Sequence, residues 1–381
     1  MSQINVRNLS NENEDGAPDI VGVSTFSATS YFVPPKGTTE QRPTNPQNGD
    51  LRFNTDTASL EYFRGDTLNW SQIEMTSPDL NGGARGAWMG GRVTGGANTD
   101  TIEYCTISTL GNNIDFGNLS QTRRRSTCAA SAIRQVLFGG QNPNGSAGYN
   151  IIDYITFSST GNATDFGDQT TEVRSPGSGG NSTRGVSGGG TNGFPSGTQV
   201  NTIEYITFTH TGNTVEFGDL TQARDYPGTV NSSTRLLFSG GAVYPTSYDI
   251  IDYVTTATTG NAADFGNLSA ACDGAYANTC NSIRGVIGQV YSGGYLNTLE
   301  YVTMATLGNV TNFGDLYHLS TSLQGASSPT RGVYGGGYTP GGYSNVMQYI
   351  EIMTLGNSVD FGDMTQGVAA AGSCSNAHGG L

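Results

Sequence analysis

Residues 203–219 have the sequence Ile-Glu-Tyr-Ile-Thr-Phe-Thr-His-Thr-Gly-Asn-Thr-Val-Glu-Phe-Gly-Asp, and this stretch decides the fold because the chain repeats it. Six copies of a unit of 48–51 residues fill residues 85–367, and the interval from Tyr to Phe is 12 residues in every copy. The repeated tyrosines are Tyr104, Tyr154, Tyr205, Tyr253, Tyr301 and Tyr349. The repeated phenylalanines are Phe116, Phe166, Phe217, Phe265, Phe313 and Phe361. An arginine precedes each copy of the stretch: Arg85, Arg134, Arg184, Arg235, Arg284 and Arg331. A period near 50 with Gly-Gly and aromatic markers indicates repeated β-sheets and not helical repeats.

Each unit predicts four β-strands. Arg331–Gly337 shows the Gly-rich strand that comes first in a unit. Ile203–Phe208 is rich in β-branched and aromatic residues and is apolar on both faces, as expected for a strand packed between two sheets. Thr211-Gly212-Asn213 supplies a turn before Val215–Asp219, the third strand. Arg125–Ser131 represents the fourth strand, which consists mainly of small residues.

The two ends of the repeated region predict how it closes. The first unit lacks its small-residue strand before Arg85, whereas the chain continues for 20 residues after Phe361. We therefore predict that Val368–Cys374 pairs with Arg85–Gly90. This pairing closes six units into a ring that exposes no sheet edge. The predicted fold is all-β, with a six-bladed propeller over residues 76–381.

The repeat resembles the Kelch type of propeller repeat. The shared features are Gly-Gly after one strand, a Tyr in the next and an aromatic residue further on, as in Arg331–Gly337, Tyr349 and Phe361. Phe-Gly-Asp stands where Kelch repeats usually have a Trp. The resemblance implies the propeller fold but little about function.

Composition excludes several function classes. The net charge is −14 and the chain has a single lysine, Lys36, which argues against nucleic acid as a partner. No run of 18 apolar residues occurs, and residues 1–7 lack the apolar segment of a secretory signal, so we expect neither membrane insertion nor a signal peptide. The five cysteines and three histidines have no metal-ligand spacing, so no metal and no cofactor are expected. The cysteines are interpreted as small buried apolar residues. The cluster Arg123-Arg124-Arg125 is interpreted as a solvated turn.

The repeated charged residues predict structural bonds. The residue before the repeated Tyr is acidic in five units and Gln in the sixth: Glu103, Asp153, Glu204, Asp252, Glu300 and Gln348. We expect hydrogen-bonded pairs between these acids and the repeated arginines. The alternative is a sixfold ligand or catalytic ring. Catalytic carboxylates normally differ from their neighbours, whereas these are alike, so the sequence predicts no enzyme.

The units differ in one loop, which follows the Gly-rich strand and makes the interval from the Arg to the apolar-acid-Tyr triplet vary from 15 to 19 residues. Equivalent loops of a propeller emerge at one end of the disc, and variable loops on a rigid scaffold are the usual site of recognition. Tyr with Ser, Gly and Asn is a composition suited to such a surface. The candidate ligand-binding residues are Tyr149, Phe194, Tyr244, Tyr248, Tyr295, Tyr338 and Tyr343. The alternative is that these rings pack within their own loops.

Residues 36–70 resemble a module of tail-fibre and other structural proteins of tailed bacteriophages. The resemblance rests on Arg42-Pro43, Gly49, Arg52, Asn54 and Trp70. The preceding segment resembles the leader of such proteins in phages of marine cyanobacteria. Residues 37–75 predict a small β-meander, with strands at Leu51–Phe53 and Leu60–Phe63. Residues 1–36 form no convincing core and predict an extended arm that orders against other virion proteins.

The resemblance implies a virion structural protein, made in the host cytoplasm and assembled in several copies. The function that we expect is a tail-fibre or spike component whose propeller recognises a host-surface glycan. The alternatives are a capsid, collar or tail decoration protein that binds no receptor, and a glycan depolymerase. Because the chain has few positive charges, we expect glycan binding to depend only weakly on salt.

Overall fold

The computed structural model describes residues 34–57, 59–65, 69–72, 84–193, 197–274 and 276–381. Most of the predicted docking arm, residues 1–36, lies outside this description, as do residues 194–196. The chain divides into two compact units, residues 1–77 and 78–381. The described elements are β-strands apart from one short 3₁₀ helix, so the fold is all-β, as predicted.

The first unit contains one small sheet. Its strands are β1 (Lys36–Gly37), β2 (Leu51–Asn54), β3 (Ser59–Phe63) and β4 (Trp70–Gln72), and the 3₁₀ helix covers Thr39–Gln41. Strands β2, β3 and β4 are antiparallel neighbours and form the meander that the sequence predicts. Strand β1 adds to β2 in parallel, a pairing that the sequence pattern did not indicate.

Three of the residues that carry the phage resemblance, Arg42, Arg52 and Asn54, bond Glu61, whose side chain is fully buried. Arg52 Nη1 and Arg42 Nη2 lie 2.9 and 2.6 Å from the Glu61 carboxylate, and Asn54 Nδ2 lies 3.1 Å from it. Both guanidinium groups lie 5.9 Å from the centre of the Trp70 ring. The Arg42 hydrogen bond holds the pKa of Glu61 below its usual range. Arg52, Asn54 and Glu61 therefore form a buried polar cluster, and the half-buried Arg42 and Trp70 lie at its border.

The described residues of the second unit form thirty strands. The first fifteen are β5 (Arg85–Val93), β6 (Asn98–Thr106), β7 (Ile114–Asn118), β8 (Thr127–Ala130), β9 (Arg134–Phe138), β10 (Ile151–Thr156), β11 (Thr164–Asp168), β12 (Gly177–Gly180), β13 (Arg184–Gly188), β14 (Thr191–Asn192), β15 (Thr198–Gln199), β16 (Thr202–Thr207), β17 (Val215–Asp219), β18 (Gly228–Asn231) and β19 (Arg235–Ser239). The others are β20 (Ala242–Val243), β21 (Thr246–Thr255), β22 (Ala263–Cys272), β23 (Ala277–Cys280), β24 (Arg284–Tyr291), β25 (Tyr295–Thr303), β26 (Thr311–Asp315), β27 (Gln324–Ser327), β28 (Arg331–Gly335), β29 (Tyr338–Thr339), β30 (Gly342–Tyr343), β31 (Val346–Glu351), β32 (Val359–Asp363), β33 (Val368–Ala369) and β34 (Gly372–Ser375).

These strands form six antiparallel sheets, one for each repeat. Sheets 1 to 6 have the orders β34-β5-β6-β7, β8-β9-β10-β11, β12-β13-β16-β17, β18-β19-β21-β22, β23-β24-β25-β26 and β27-β28-β31-β32. Strand β33 also pairs with β5 and β20 with β21, while β14-β15 and β29-β30 are separate hairpins in the variable loops. The small-residue strand of each repeat, which we call the inner strand, contacts the inner strands of two other sheets. These contacts follow the order β8, β12, β18, β23, β27, β34 and back to β8.

The C-terminal segment supplies the inner strand of sheet 1. Strand β34 pairs with Gly86–Met89, and β33 pairs with Arg92 and Val93. The predicted pairing of Val368–Cys374 with the first strand is therefore confirmed and extends to Ser375. Strand β5 consequently has a partner on both sides, so its backbone N–H and C=O groups are paired.

The hydrophobic core consists of six clusters, each between two sheets. One cluster joins Trp88 of sheet 1 to Phe361 of sheet 6, and another joins Met89 of sheet 1 to Leu137 of sheet 2. The remaining clusters join sheets 2 and 3, 3 and 4, 4 and 5, and 5 and 6. Each sheet therefore buries apolar side chains on both faces, which explains why the repeated strands are apolar on both faces.

The repeated Tyr and Phe form an edge-to-face pair in every sheet, with ring centres 5.5–6.3 Å apart. The six phenylalanines are buried, whereas the six tyrosines are only partly buried, and within the described residues no protein group bonds their hydroxyls. The Tyr ring instead covers the Phe and leaves its hydroxyl at the edge of the interface.

The two repeated glycines allow neighbouring sheets to touch through their backbones. Gly314, in the Phe-Gly-Asp of sheet 5, has φ +152°, and a Cβ there would lie 2.3 Å from the Gly356 carbonyl oxygen. The Gly356 N–H donates to the Phe313 carbonyl at 3.0 Å, and the Asp315 N–H donates to Asn357 Oδ1 at 2.9 Å. The same Gly-to-Phe hydrogen bond recurs in all six repeats: Gly111 to Phe361, Gly161 to Phe116, Gly212 to Phe166, Gly260 to Phe217, Gly308 to Phe265 and Gly356 to Phe313. Gly-Asn and Phe-Gly-Asp/Asn are thus the two halves of one contact between sheets.

Candidate functional site

The repeated arginines bind the next sheet and not the repeated acids, so the predicted Arg–carboxylate pairing is wrong. Arg134 lies over the Tyr154 ring at 4.9 Å, and its Nη1 donates to the Phe208 carbonyl of sheet 3 at 2.8 Å. All six arginines lie 4.3–5.0 Å from the ring centre of their own Tyr. Each also donates to a carbonyl of the next sheet, and Arg331 of sheet 6 donates to sheet 1. A guanidinium stacked on an aromatic ring still has N–H donors for a carbonyl, which explains how each arginine contacts its own Tyr and the next sheet at once.

The repeated acids are buried and bind the preceding sheet. Asp252 accepts hydrogen bonds from the N–H and hydroxyl of Thr221, at 3.2 and 2.6 Å. Glu103 accepts from the Thr365 N–H at 3.0 Å, which links sheet 6 to sheet 1. Ser or Thr donors occupy this place in the first five repeats, while the His318 N–H donates to Gln348 in the sixth. The acids are therefore engaged in bonds between sheets, but their partners are Ser and Thr and not the predicted arginines.

Arg123 is not part of a solvated turn. Its side chain is fully buried and its Nη2 lies 2.8 Å from Asp153, and Arg224 makes the equivalent ion pair with Asp252 at 2.9 Å. Arg124 is half-buried, and its Nε donates to Gln141 Oε1 at 3.2 Å. The three consecutive arginines thus have three different environments. The expectation of a solvated turn is wrong because consecutive side chains point in different directions here, and the backbone turns at Arg125, which has φ +57°.

The inner strands surround a cavity of about 140 Å³, which is the candidate functional site. Its lining comes from all six sheets and consists mainly of Ser, Thr, Gly, Asn and Gln. Its volume is several times the roughly 30 Å³ that one water occupies in the liquid. The cavity therefore has room for a small polar molecule.

The mouth of the cavity is built by equivalent residues just before the inner strands. Arg125, Ser175, Tyr226, Ser322 and Ala370 all have φ between +54° and +57°. The N–H of Tyr226 donates to Ser175, that of Ser175 to Arg125, that of Arg125 to Ala370 and that of Ala370 to Ser322, at 2.8–2.9 Å. These bonds between sheets fix the left-handed backbone conformation at a place where side chains usually avoid it.

The opposite end of the cavity is closed by the last residues of the chain. His378 is buried, its Nε2 lies 2.8 Å from the Ala130 carbonyl, and its Nδ1 lies 2.9 Å from Asn231 Nδ2. The Gly380 N–H also donates to Nδ1, at 3.1 Å. Nδ1 therefore accepts hydrogen bonds and Nε2 carries the proton. Burial lowers the pKa of His378 to about 4, so the imidazole is neutral at pH 7. These bonds hold the last residues of the chain across the end of the cavity that lies opposite Arg125.

Positive charge is concentrated at the mouth. The Arg125 guanidinium lies 5.4 Å from the centre of the Tyr226 ring, which makes an edge contact with Tyr276 at 5.4 Å. Burial lowers the pKa of Arg124 and of Arg174, and the nearby charge of Arg125 lowers both further. One carboxylate, Asp225, lies near Arg125 and Arg174, and burial raises its pKa. The mouth is therefore locally basic although the chain is acidic.

The predicted loop tyrosines differ in exposure. Tyr244 is 92% exposed and Tyr338 41% exposed, whereas Tyr149, Tyr248, Tyr295 and Tyr343 are half-buried. Phe194 lies outside the described residues. Tyr149 lies near the buried Arg123, and Tyr248 near the buried Arg224, so these two rings serve partly as packing.

Four tyrosines come together where the loops of sheets 5 and 6 meet. Tyr338 and Tyr343 form an edge pair at 5.1 Å, and Tyr291 and Tyr295 form another at 6.2 Å. Burial raises the pKa of Tyr295, and the nearby Tyr338 and Tyr291 raise it further. The loops lie at the same end as the mouth, because Arg124 bridges to Gln141, and Thr321 bridges to Tyr338. The structure thus brings part of the predicted set together beside the cavity.

The sequence analysis missed the mouth residues Arg125, Tyr226 and Tyr276. A signal for the first two does exist in the repeats. The residue nine positions after the repeated Phe is Ser175, Ser322 or Ala370 in three units, but Arg125 and Tyr226 in two others. The deviation from a small residue marks the place where the units differ at the mouth of the cavity.

Three cavity residues, Cys128, Cys280 and Cys374, carry free thiols. Burial raises the pKa of each, to about 12 for Cys128, so the thiols are protonated at pH 7. The described residues contain no group of three or more His, Cys, Asp or Glu side chains placed to hold a metal ion. Within that same part of the chain, no helix has the length and apolar character needed to cross a membrane.

Comparison with known proteins does not assign the chain to a family. No protein-family model matches the sequence, and no curated protein matches it. The function must therefore be argued from the geometry of this chain.

Proposed function

We propose that residues 84–381 form a six-bladed, Kelch-like β-propeller with sheets 1 to 6 as its blades. The support is the cyclic order of three independent contacts: inner strand to inner strand, repeated Gly to repeated Phe, and repeated Arg to the next sheet. Each series returns from sheet 6 to sheet 1. A crystal structure with the six sheets in an open arc would overturn this architecture.

We propose further that this unit is the recognition part of a virion protein, a tail-fibre or spike component that binds a host-surface glycan. The observation that carries the proposal is that exposed loop tyrosines and the Arg125 end of the cavity lie on one side of the unit. Rigid aromatic rings present large contact area at low cost in conformational entropy, and they complement the apolar faces of sugar rings.

The virion part of the proposal rests on residues 36–70 and their resemblance to the phage module. Arg42, Arg52 and Asn54 bond Glu61, and Trp70 lies at the border of this cluster, so the shared motif specifies a fold. We propose that residues 1–75 attach the chain to other virion proteins. The engagement of the repeated acids in bonds between sheets supports a role without catalysis.

Adsorption of the purified chain to cyanobacterial cells and to arrays of their surface glycans tests this function. Tyr244→Ala combined with Tyr338→Ala should abolish adsorption without changing the melting temperature, because both rings are exposed. The matched control is Tyr317→Ala, which removes a 50% exposed tyrosine outside the variable loops. If the double variant adsorbs like the wild type, receptor binding is refuted and a decoration role replaces it. Release of soluble sugar from the polysaccharide would instead identify a depolymerase.

A further inference from the structure

The Arg125 guanidinium at the cavity mouth bonds no acceptor in the described part of the chain. It makes no hydrogen bond and no ion pair there, and it lies over the Tyr226 ring at 5.4 Å. A guanidinium has five N–H donors in a planar fork that matches a carboxylate or sulfate. The other arginines of repeat 2, Arg123, Arg124 and Arg134, all donate to or pair with protein groups. Arg125 is therefore available to an external anion.

The surroundings favour an anion over a cation. Arg124 and Arg174 lie close enough to Arg125 for their charges to affect one another, and Asp225 is the single carboxylate among these groups. Low-dielectric walls around a site of one charge sign focus the field and raise the local concentration of the opposite ion. The sum of these charges at the mouth is positive, although the net charge of the chain is −14.

The cavity behind the mouth fits a hydroxylated ring better than a bare ion. Its wall contains the Tyr226–Tyr276 pair and many hydroxyls and amides. Two wall hydroxyls next to Arg125, those of Thr127 and Ser175, have no hydrogen-bond partner within the described residues. An unpaired buried hydroxyl costs free energy that a bonding ligand recovers. The floor at His378 is closed, so a polymer enters only by its end.

We propose that the mouth and cavity bind one terminal acidic sugar, with its carboxylate or sulfate on Arg125 and its ring among the hydroxyls behind Tyr226. This inference rests on the proposed function and names the ligand class of the same face. It reverses the expectation of weak salt dependence, because that expectation averaged the charge over the whole chain. Binding weakens as ionic strength rises.

Calorimetric titration of the full chain with four probes tests the inference: a methyl glucuronide, a glucose sulfate, the neutral methyl glucoside and inorganic sulfate. At least one acidic sugar should bind about tenfold to a hundredfold more tightly than the glucoside and the sulfate ion, as expected for charge-assisted hydrogen bonds that add to ring contacts. The two acidic probes separate a carboxylate ligand from a sulfate ester. Equal affinity for the glucoside, or equal affinity for free sulfate, overturns the inference.

Arg125→Gln should lose this preference while Arg64→Gln keeps it. The second variant makes the same change of charge at an exposed arginine of the first unit. Tyr226→Phe, which keeps the ring under the guanidinium, provides a second folded variant and should retain binding. If Arg125→Gln has the wild-type melting temperature and still prefers the acidic sugar, the assignment is wrong. Cell adsorption without acidic-sugar binding refutes this inference alone, whereas acidic-sugar binding without adsorption refutes the proposed receptor function.

Discussion

Replacing Gly314 by Ala tests whether backbone contact between neighbouring sheets stabilises the second unit. A Cβ on Gly314 would lie 2.3 Å from the Gly356 carbonyl oxygen and 2.5 Å from its carbonyl carbon, closer than real Cβ contacts come. The two backbone segments must therefore separate. Gly356 provides the matched control, because it has nearly the same backbone conformation, φ +149° against +152°, yet a Cβ there meets nothing within 4 Å.

The magnitude follows from the bonds at this contact. Three hydrogen bonds cross it: Gly356 N–H to the Phe313 carbonyl at 3.0 Å, Ser358 N–H to the Asp315 carbonyl at 2.9 Å, and Asp315 N–H to Asn357 Oδ1 at 2.9 Å. Each contributes about 0.5–1.5 kcal/mol net, so their loss costs about 1.5–4.5 kcal/mol. Backbone strain of on the order of 1–3 kcal/mol affects both variants and cancels in the comparison. We expect the first substitution to lower the free energy of unfolding by about 2–4 kcal/mol more than the control does.

Urea unfolding followed by tryptophan fluorescence measures this difference. Trp88 is buried, and its Nε1–H donates to the Gln324 carbonyl of sheet 6 at 3.2 Å, so its emission reports on the contact between sheets 1 and 6. Trp70 is the only other tryptophan and is replaced by Phe in all variants to remove its signal. If Gly314→Ala and Gly356→Ala lose the same stability, the contact between sheets contributes nothing and the explanation of the repeated glycines fails.

Three further outcomes follow from the same structure. Deleting residues 372–381 removes β34 and should cause aggregation and loss of a cooperative melting transition, whereas deleting Leu381 alone should not; an unchanged transition for the longer deletion contradicts the closure of sheet 1. Phe217→Ala should cost about 3–5 kcal/mol in urea unfolding because the ring is buried between sheets 3 and 4, and a cost near that of Phe217→Leu would argue against tight packing. Burial lowers the pKa of His378 from 6.5 to about 4, so the unfolded chain binds a proton first as the pH falls. The stability from neutral His378 is thus present above pH 6.5 and is lost between pH 6.5 and about 4, with a slope of at most about 1.4 kcal/mol per pH unit. Thermal melts across this range should show a smaller slope for His378→Gln, and an equal slope would assign the effect to other groups.

The strands and their order could be predicted because the six repeats of the chain can be compared with one another. Six copies with a constant Tyr-to-Phe interval separate the strands from the variable loop, and the missing strand before Arg85 reappears after Phe361. The partners across sheets could not be predicted in this way. Arg134 and Asp153 recur in step along the sequence, yet Arg134 bonds Phe208 and Asp153 bonds Ser120. Recurrence shows that a residue has a constant role, but only the packing of one sheet on the next decides its partner.

The candidate site was predicted only in part, for a related reason. Loop-length variation led to Tyr338 and Tyr343, which meet at 5.1 Å, and to Tyr244, which is exposed. The sequence pattern does not indicate the mouth, because Arg125 follows Arg123 and Arg124 directly in one run of like charge. These three neighbouring arginines have separate environments. The informative comparison is between equivalent positions of different repeats, where Ser or Ala occupies the position of Arg125.

Repeated and unrepeated residues have different roles, which explains why the strands could be predicted and the mouth of the cavity could not. A residue present in all six repeats bonds one sheet to the next, as Arg134 does, and changing it weakens an interface that the fold needs. A ligand that is not sixfold symmetric must be recognised by residues that break the repetition. Arg125 and Tyr226 do so at positions that are otherwise small, and their backbones are held by hydrogen bonds common to the mouth. Their side chains can therefore change with little effect on folding, which is the property that a recognition site on a repeated scaffold requires.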